Sequence, residues 1–384
     1  MRQAASEKLV WILAVVFLGI LAPDMYAQQP TQLPAGIQEA GSLSGSMRDQ
    51  LESYIKANFE VLKTGTIAQQ RAARDQLLEM FDAPSVSTAF RLAATDILTP
   101  YLEESIEASN RWNRFAGYRL AARLASEDSA RLFTETLNAG GDVQKPDMLM
   151  AMGQLRVLFL ETDIGGLAIS TSSLSNIAAL VGQRLAETED PDIALLQARA
   201  LRALAQSQRE ELAPARDAAA AALGSAVAAR LMSESARPFG TGPKDIDELL
   251  VSLEAMDAIR GFLVSRPVTE PMDSKVAADL ARLSGQALAF VTRTYEKTPP
   301  GADAARRYLQ RLAQRGIEMA TMLIAAHNAD HPNDAIPTRG LPGSDQIGVW
   351  LSSGNMQNYK LGIIQTLDAL AQAFGFNSGW AKID

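Results

Sequence analysis

From Met47 to Phe374 the chain is one succession of amphipathic segments whose apolar residues recur three and four positions apart, and no alternating run of β-branched residues breaks the succession. Such periodicity marks helices with one buried stripe, so a chain that carries it throughout is expected to be all-α. In Thr66–Pro84, Ile67, Ala68, Ala72, Leu77, Leu78 and Phe81 follow a period near 3.6, with Thr66 placed to cap and Pro84 to close. Comparable segments fall at about 86–98, 100–108, 111–125, 128–138, 147–161, 173–187, 192–207 and 209–232, then at about 244–264, 274–297, 302–329 and 357–374.

The breaks between segments have their own chemistry. Thr99-Pro100 reads as a cap followed by proline at the first helical position, where a missing N–H is harmless. Gly140-Gly141 ends one helix, and Asp190-Pro191 opens another within Glu187–Ile193. That acidic cluster lacks the spaced oxygen ligands, central glycine and closing glutamate of a calcium loop, so it reads as a solvated helix start.

Short helices in series invite a search for repeats. Phe90-Arg91, Ala94 and Ile97 share a pattern with Tyr118-Arg119, Ala122 and Ala125, and with Leu196-Gln197, Ala200 and Ala203. Small residues at this spacing let a neighbouring helix approach closely, and the polar residue of each pair is expected at the rim. In this pattern the chain resembles the HEAT and armadillo-like helical repeats over about 66–232, with Gln197 where those repeats prefer arginine. The resemblance implies stacked helices with an extended protein-binding surface, and it carries over no catalytic residue. HEAT-like repeats are thus expected over 47–233. Past a boundary near Glu234–Pro243, longer helices are expected to form a bundle over 244–384, with a continued solenoid as the alternative.

The N-terminus reads as an address. Arg2 and Lys8 precede an apolar run of 14 residues, Leu9–Ala22, which is short for a helix needing about 20 residues to cross a bilayer. It fits a secretory signal peptide over 1–27 cut after Ala27, with an uncleaved membrane anchor as the alternative. Residues 28–46, rich in Gly, Ser, Gln and Pro, read as a flexible linker. The expected location is therefore the periplasm or the exterior, with no stable membrane insertion once the signal is gone. Cysteine is absent, so no disulfide is available and packing must hold the fold. A net charge of −8 disfavours nucleic acid and anionic lipid as partners.

Few residues suggest chemistry. The only histidines, His327 and His331, are four apart with Asp330 between them, and on an uninterrupted helix they would share a face as metal ligands do. Pro332 pushes the residue before it out of the helix, and a zinc site needs at least three protein ligands, so a helix end is the expected reading. Glycines and serines in Asp163–Ser175 have no neighbouring base to activate a hydroxyl, and no nucleophile elbow or phosphate loop occurs. No cofactor is expected. The stretch 330–357, with three prolines and four glycines, is expected to be a long loop that Trp350, Ile347, Val349 and Leu351 fold back onto the stack, the alternative being that Trp350 and this loop contact a partner. The composite expectation is an exported, non-catalytic scaffold binding another envelope or extracellular protein. The alternative is an α-helical toroid acting on cell-envelope polysaccharide, which two distant carboxylates would serve, although aromatic platforms for sugar are scarce at 6% of the chain.

Overall fold

The computed structural model describes residues 33–82, 86–164, 168–234, 242–266, 271–299, 301–377 and 379–383. The expected signal peptide, the first five linker residues and most of the expected boundary at 234–243 lie outside the described residues. Among those described there are 14 α-helices, three short 3-10 turns and no strand, so the all-α expectation holds. The chain divides into two compact units, one ending at Ala93 and the other starting at Ala94.

The first unit is built on a helical hairpin of α1 (Gly45–Thr64) and α2 (Ile67–Glu79). The turn between them is fixed by the Gly65 N–H donating to the Val61 carbonyl and by a capping box in which Thr66 and Gln69 satisfy each other's backbone N–H groups. Leu51, Ile55, Phe59 and Leu77 are buried, and the Tyr54 hydroxyl donates to the Gln76 carbonyl at 3.0 Å. Residues 33–44, within the expected linker, are tied to this hairpin. Ile37 is fully buried, the Gln38 amide donates to the Met80 carbonyl at 3.4 Å, and the Ser87 hydroxyl donates to the Ala40 carbonyl at 2.6 Å.

Helix α3 (Thr88–Glu107) passes straight through Pro100, so Thr99-Pro100 is not the helix start that its residue types suggest. The missing N–H costs one rung of the helix, yet Leu98 and Leu102 on either side are fully buried, and the apolar stripe continues across the proline. The Thr99 hydroxyl turns back to the Thr95 carbonyl at 2.8 Å instead of capping a new helix.

The second unit is a stack. Its helices are α4 (Arg111–Leu124), α5 (Glu127–Ala139), α6 (Lys145–Ile164), α7 (Thr171–Glu187), α8 (Pro191–Ala205), α9 (Ala213–Glu234), α10 (Pro243–Ser265) and α11 (Ser274–Thr294). There follow α12 (Asp303–Asp330), α13 (Ser344–Ser352) and α14 (Met356–Phe374). Each helix packs on the one two places further along: α4, α6, α8, α10 and α12 make one layer, and α5, α7, α9 and α11 the other. This is the arrangement of an α-solenoid. At its far end α12 packs on α11, α13 and α14, and α14 also on α11 and α13, while α10 and α11, which fall in the stretch expected as a bundle, continue the two layers of the stack.

Small residues set the helix spacing. A Cβ on Gly182 of α7 would lie 2.7 Å from the Ala222 Cβ of α9, one on Gly224 of α9 would lie 3.0 Å from Leu280 of α11, and one on Gly316 of α12 would lie 2.8 Å from Leu288. Ala94, Ala122 and Ala200, the shared small positions of the repeat pattern, are all fully buried. Two of the three polar residues beside them depart from expectation, since Arg91 and Gln197 are buried at 6% and 2% exposure, whereas Arg119 is half-buried. Charged groups tie the stack at depth as well. Arg230 of α9 meets Glu248 of α10 with Nε to Oε1 at 2.7 Å and also donates to the Leu185 carbonyl at the end of α7. The α4/α6/α8/α10/α12 layer carries a ladder of partly exposed pairs between neighbours, including Arg202–Glu254 at 2.8 Å and Asp257–Arg315 at 2.7 Å. Each such pair contributes about 0–1 kcal/mol.

Gly182→Leu is expected to force α7 and α9 apart and cost about 1–3 kcal/mol. Gly153→Ala, where an added Cβ meets nothing within 4 Å, should leave stability unchanged or raise it by up to about 1 kcal/mol. Urea unfolding of the two variants checks this, and equal stability would show that close approach does not set the stack.

Candidate turn-edge grooves

The turns α3–α4, α5–α6 and α7–α8 border two adjoining grooves that share Val143 as a lining residue. Related sequences open α6 and α8: Lys145-Pro146-Asp147 and Asp190-Pro191-Asp192. In each, proline sits in the first turn where its missing N–H is harmless, and the acidic residues face the partial positive charge of the helix start.

The first groove, of about 650 Å3, is lined by Arg114, Tyr118, Arg131 and Asp147 among others. Arg114 donates to the Ala108 and Ser109 carbonyls beyond α3 at 2.8 and 2.9 Å and meets Asp147 Oδ2 at 3.0 Å. Its Nε and the second Asp147 oxygen, Oδ1, have no hydrogen-bond partner, although Asp147 is only 8% exposed. Arg131 bridges two carboxylates of the rim, Glu103 and, at 2.8 Å, Glu135. The Tyr118 hydroxyl bonds the Thr136 hydroxyl at 3.0 Å, and burial pushes its pKa up.

The second groove, of about 470 Å3, has a similar combination. Lys145 Nζ is held between Asp190 at 2.6 Å and Asp192 at 2.9 Å. Burial works to raise the Asp190 carboxyl, but the Lys145 hydrogen bond and the Ile193 and Asp192 backbone N–H groups outweigh it and leave the pKa below its usual value. Gly140 turns with φ +53°, and a Cβ there would lie 3.5 Å from the Arg184 guanidinium carbon, so glycine makes room for that side chain. Arg184 donates to the Asn138 carbonyl at 3.2 Å and Glu187 at 3.1 Å, while its Nε has no partner. Gln197, which also lines the groove, leaves Oε1 unpartnered. Val143, Met148 and Ile193 supply an apolar lining.

A third groove, of about 580 Å3, runs along α7, α9 and α11 and is lined mainly by alanines, with Lys275 and Asp279 beside them. Burial pushes the Asp279 carboxyl up, against the lowering effect of Arg282.

The residues that the sequence singled out lie elsewhere. His327 falls in the last turn of α12, and His331 caps the helix with its N–H on the His327 carbonyl at 2.8 Å, as Pro332 implies. Their rings are 4.7 Å apart, and His327 also meets Phe374 edge-on at 5.8 Å. With Asp330 they border a cavity of about 200 Å3 whose other lining is largely apolar. Among the described residues no group of three or more histidine, cysteine or acidic side chains is placed to hold a metal ion. A helix C-terminus favours a cation, but burial, followed by the charge of His331, lowers the His327 pKa below the usual value. Trp350 lies on α13, a helix inside the stretch expected as loop. It is half-buried and packs over Gly362 of α14, while Ile347 and Leu351 are buried and Val349 is 62% exposed. The serines of 163–175 act as helix-cap groups where described: Ser170 caps α7, and Ser173 donates to Glu127 at 2.6 Å.

No family model, curated protein or solved structure matches this chain. At the turn edge cations and carboxylates are fixed on one another, and the donors and acceptors left unmet there are buried. Sequence reasoning passed over Arg184, Asp147 and the groove role of Gln197, because each is an ordinary residue for a helix; the paired proline–aspartate helix starts were the one available signal.

The His327 imidazole is expected to titrate below the ordinary value of 6.5, and His331→Gln should raise it. Because the folded state favours the neutral ring, stability should fall as pH drops from about 6.5 through the folded pKa. An NMR titration checks both points, and a His327 pKa at or above the ordinary value would refute the burial argument.

Proposed function

We propose that this protein is a non-catalytic binding module that recognises another protein through the turn edge of its helical stack, in the envelope or outside the cell if the N-terminal segment acts as an export signal. The observation that carries the reading is the pair of adjoining grooves that combine fixed ion pairs with buried, unpartnered polar atoms. Leaving such atoms unmet costs about 1–3 kcal/mol each. The fixed charges supply orientation and partner choice more than affinity.

The rival reading, hydrolysis of an envelope polysaccharide, draws on the carboxylates Glu103, Glu107, Glu135 and Asp147 around the first groove. Arg131 joins Glu103 to Glu135, and Arg114 holds Asp147, so three of the four are tied to arginine rather than facing one another across open space. Glycoside hydrolysis needs a facing pair about 5–9.5 Å apart with one member free to carry a proton.

Affinity capture by residues 28–384 from a native envelope extract after mild crosslinking should recover one reproducible protein. Recovery of polysaccharide alone, shortened in a manner lost on Glu135→Gln, would replace the binding reading with the enzymatic one.

A further inference from the structure

We propose that His327 and His331 together hold a transition-metal dication of tetragonal preference, copper(II) before others, at the C-terminal end of α12. The two rings lie 4.7 Å apart, centre to centre, with 47° between their planes. Among the described residues neither imidazole makes a hydrogen bond or an ion pair, so no protein group occupies its ring nitrogens. His327 is partly buried and His331 exposed, which leaves the pair open to an ion from solvent. The site shares no residue with the turn-edge grooves and does not rest on the protein-binding reading.

The separation of the rings fits chelation. A metal about 2.0–2.1 Å from an imidazole nitrogen lies about 3.2 Å from the ring centre. Two rings on neighbouring corners of a square then have centres about 4.5 Å apart, against about 5.2 Å on a tetrahedron and about 6.4 Å on opposite corners. The observed 4.7 Å is nearest the first of these. Rotation about the Cβ–ring bond is broad for histidine, so a nitrogen of each ring can turn to a common point while the backbone stays in place. The backbone there is fixed, because the His331 N–H donates to the His327 carbonyl at 2.8 Å, and Phe374 bounds the His327 ring on one side.

Charge and ligand number choose the ion. Burial and the neighbouring His331 keep His327 in the neutral form that ligates, while the negative charges of Asp330 and Asp334 favour a cation at this point. No third histidine, cysteine or acidic side chain among the described residues is placed to join the two rings in holding a metal. Two protein ligands are too few for zinc, which takes three or four in a tetrahedron. Copper(II) and nickel(II) accept a tetragonal set of nitrogen and oxygen that water can complete, and copper(II) stands highest in the order of divalent affinities. Asp330 borders the same cavity as both rings, so a carboxylate is at hand to accept from one of those waters.

The test uses the chain of residues 28–384, made without a polyhistidine tag, and copper(II) sulfate as the probe. Proton NMR follows the ring C–H signals of the only two histidines in the chain, and electron paramagnetic resonance reads the nitrogens on the metal. One equivalent of copper(II) is expected to broaden both histidines together and to give a tetragonal signal with two ring nitrogens. In calorimetric titration, His327→Asn and His331→Asn should each weaken binding at least tenfold, because one imidazole remains. Zinc(II) should bind the wild type at least tenfold more weakly than copper(II). Unfolding temperatures without metal separate loss of a ligand from loss of the fold, and the wild-type spectra stand by themselves should a variant fail to fold.

Broadening of one histidine alone, a signal with a single ring nitrogen, or no binding of copper(II) would overturn the proposal. So would equal copper(II) affinity in wild type and in the double variant His327→Asn/His331→Asn, which places the ion elsewhere on the chain. Zinc(II) bound as tightly as copper(II) would overturn the tetragonal assignment.

Discussion

The second unit depends on how closely helices two places apart can approach. Without disulfides, its stability comes from packing, and aromatic residues are too few to fill wide gaps between helices. Gly182 against Ala222 and Gly224 against Leu280 solve this by bringing backbones together, so that thin alanine-rich faces still exclude water, and Gly316 against Leu288 does the same between the consecutive helices α12 and α11. Close approach has a second effect. Each helix is set by the one two places before it, which stacks the intervening turns side by side along one edge. The grooves at α3–α4, α5–α6 and α7–α8 are in this sense products of the spacing in the core.

Much of this architecture was legible in the residue pattern, because a stripe at period 3.6 is a local property that tertiary structure seldom overrides over long segments. Where reading failed, a local rule lost to packing. Thr99-Pro100 has the residue types of a helix start, but buried Leu98 and Leu102 hold the helix together across it. Helix α13 was hidden in a proline- and glycine-rich stretch because it is only nine residues long, too short for periodicity to stand out, and its identity rests on Ile347 and Leu351 finding a buried place. Ile37 anchors a stretch whose composition suggests a tether, and a single side chain in such a segment leaves no periodic trace.

The candidate site was less legible, for a different reason. Rare residues attract attention, and the two histidines proved to be a helix end against Phe374. The grooves instead use arginine, aspartate and glutamine, which are common on helices, and their meaning appears only when turns distant in sequence meet. Gln197 shows the point. The repeat pattern singled it out as the polar member of Leu196-Gln197 and placed it at the rim, because an uncharged amide beside an apolar residue is normally solvated. In the stack it is 2% exposed and lines a groove formed with the turn at Gly140, more than fifty residues earlier.

Unpartnered polar atoms are not by themselves signs of a ligand. Asn58 Oδ1 and Ser252 Oγ are also unmet, and they line none of the grooves described. There the atom lies in packed core, and its cost is carried by the surrounding burial. Gln197 and Asp147 differ because their residues line grooves bounded by charges already committed to one another, although the unmet atoms themselves are buried. Arg184 is held by Glu187 and Asn138, Lys145 by two aspartates, and Arg114 by Asp147 and two carbonyls, so each side chain is fixed in place although Nε of both arginines is unmet. A rigid frame of satisfied charges around a few unsatisfied atoms gives up little conformational entropy when a partner arrives, and that preorganisation is what lets a modest groove discriminate among ligands.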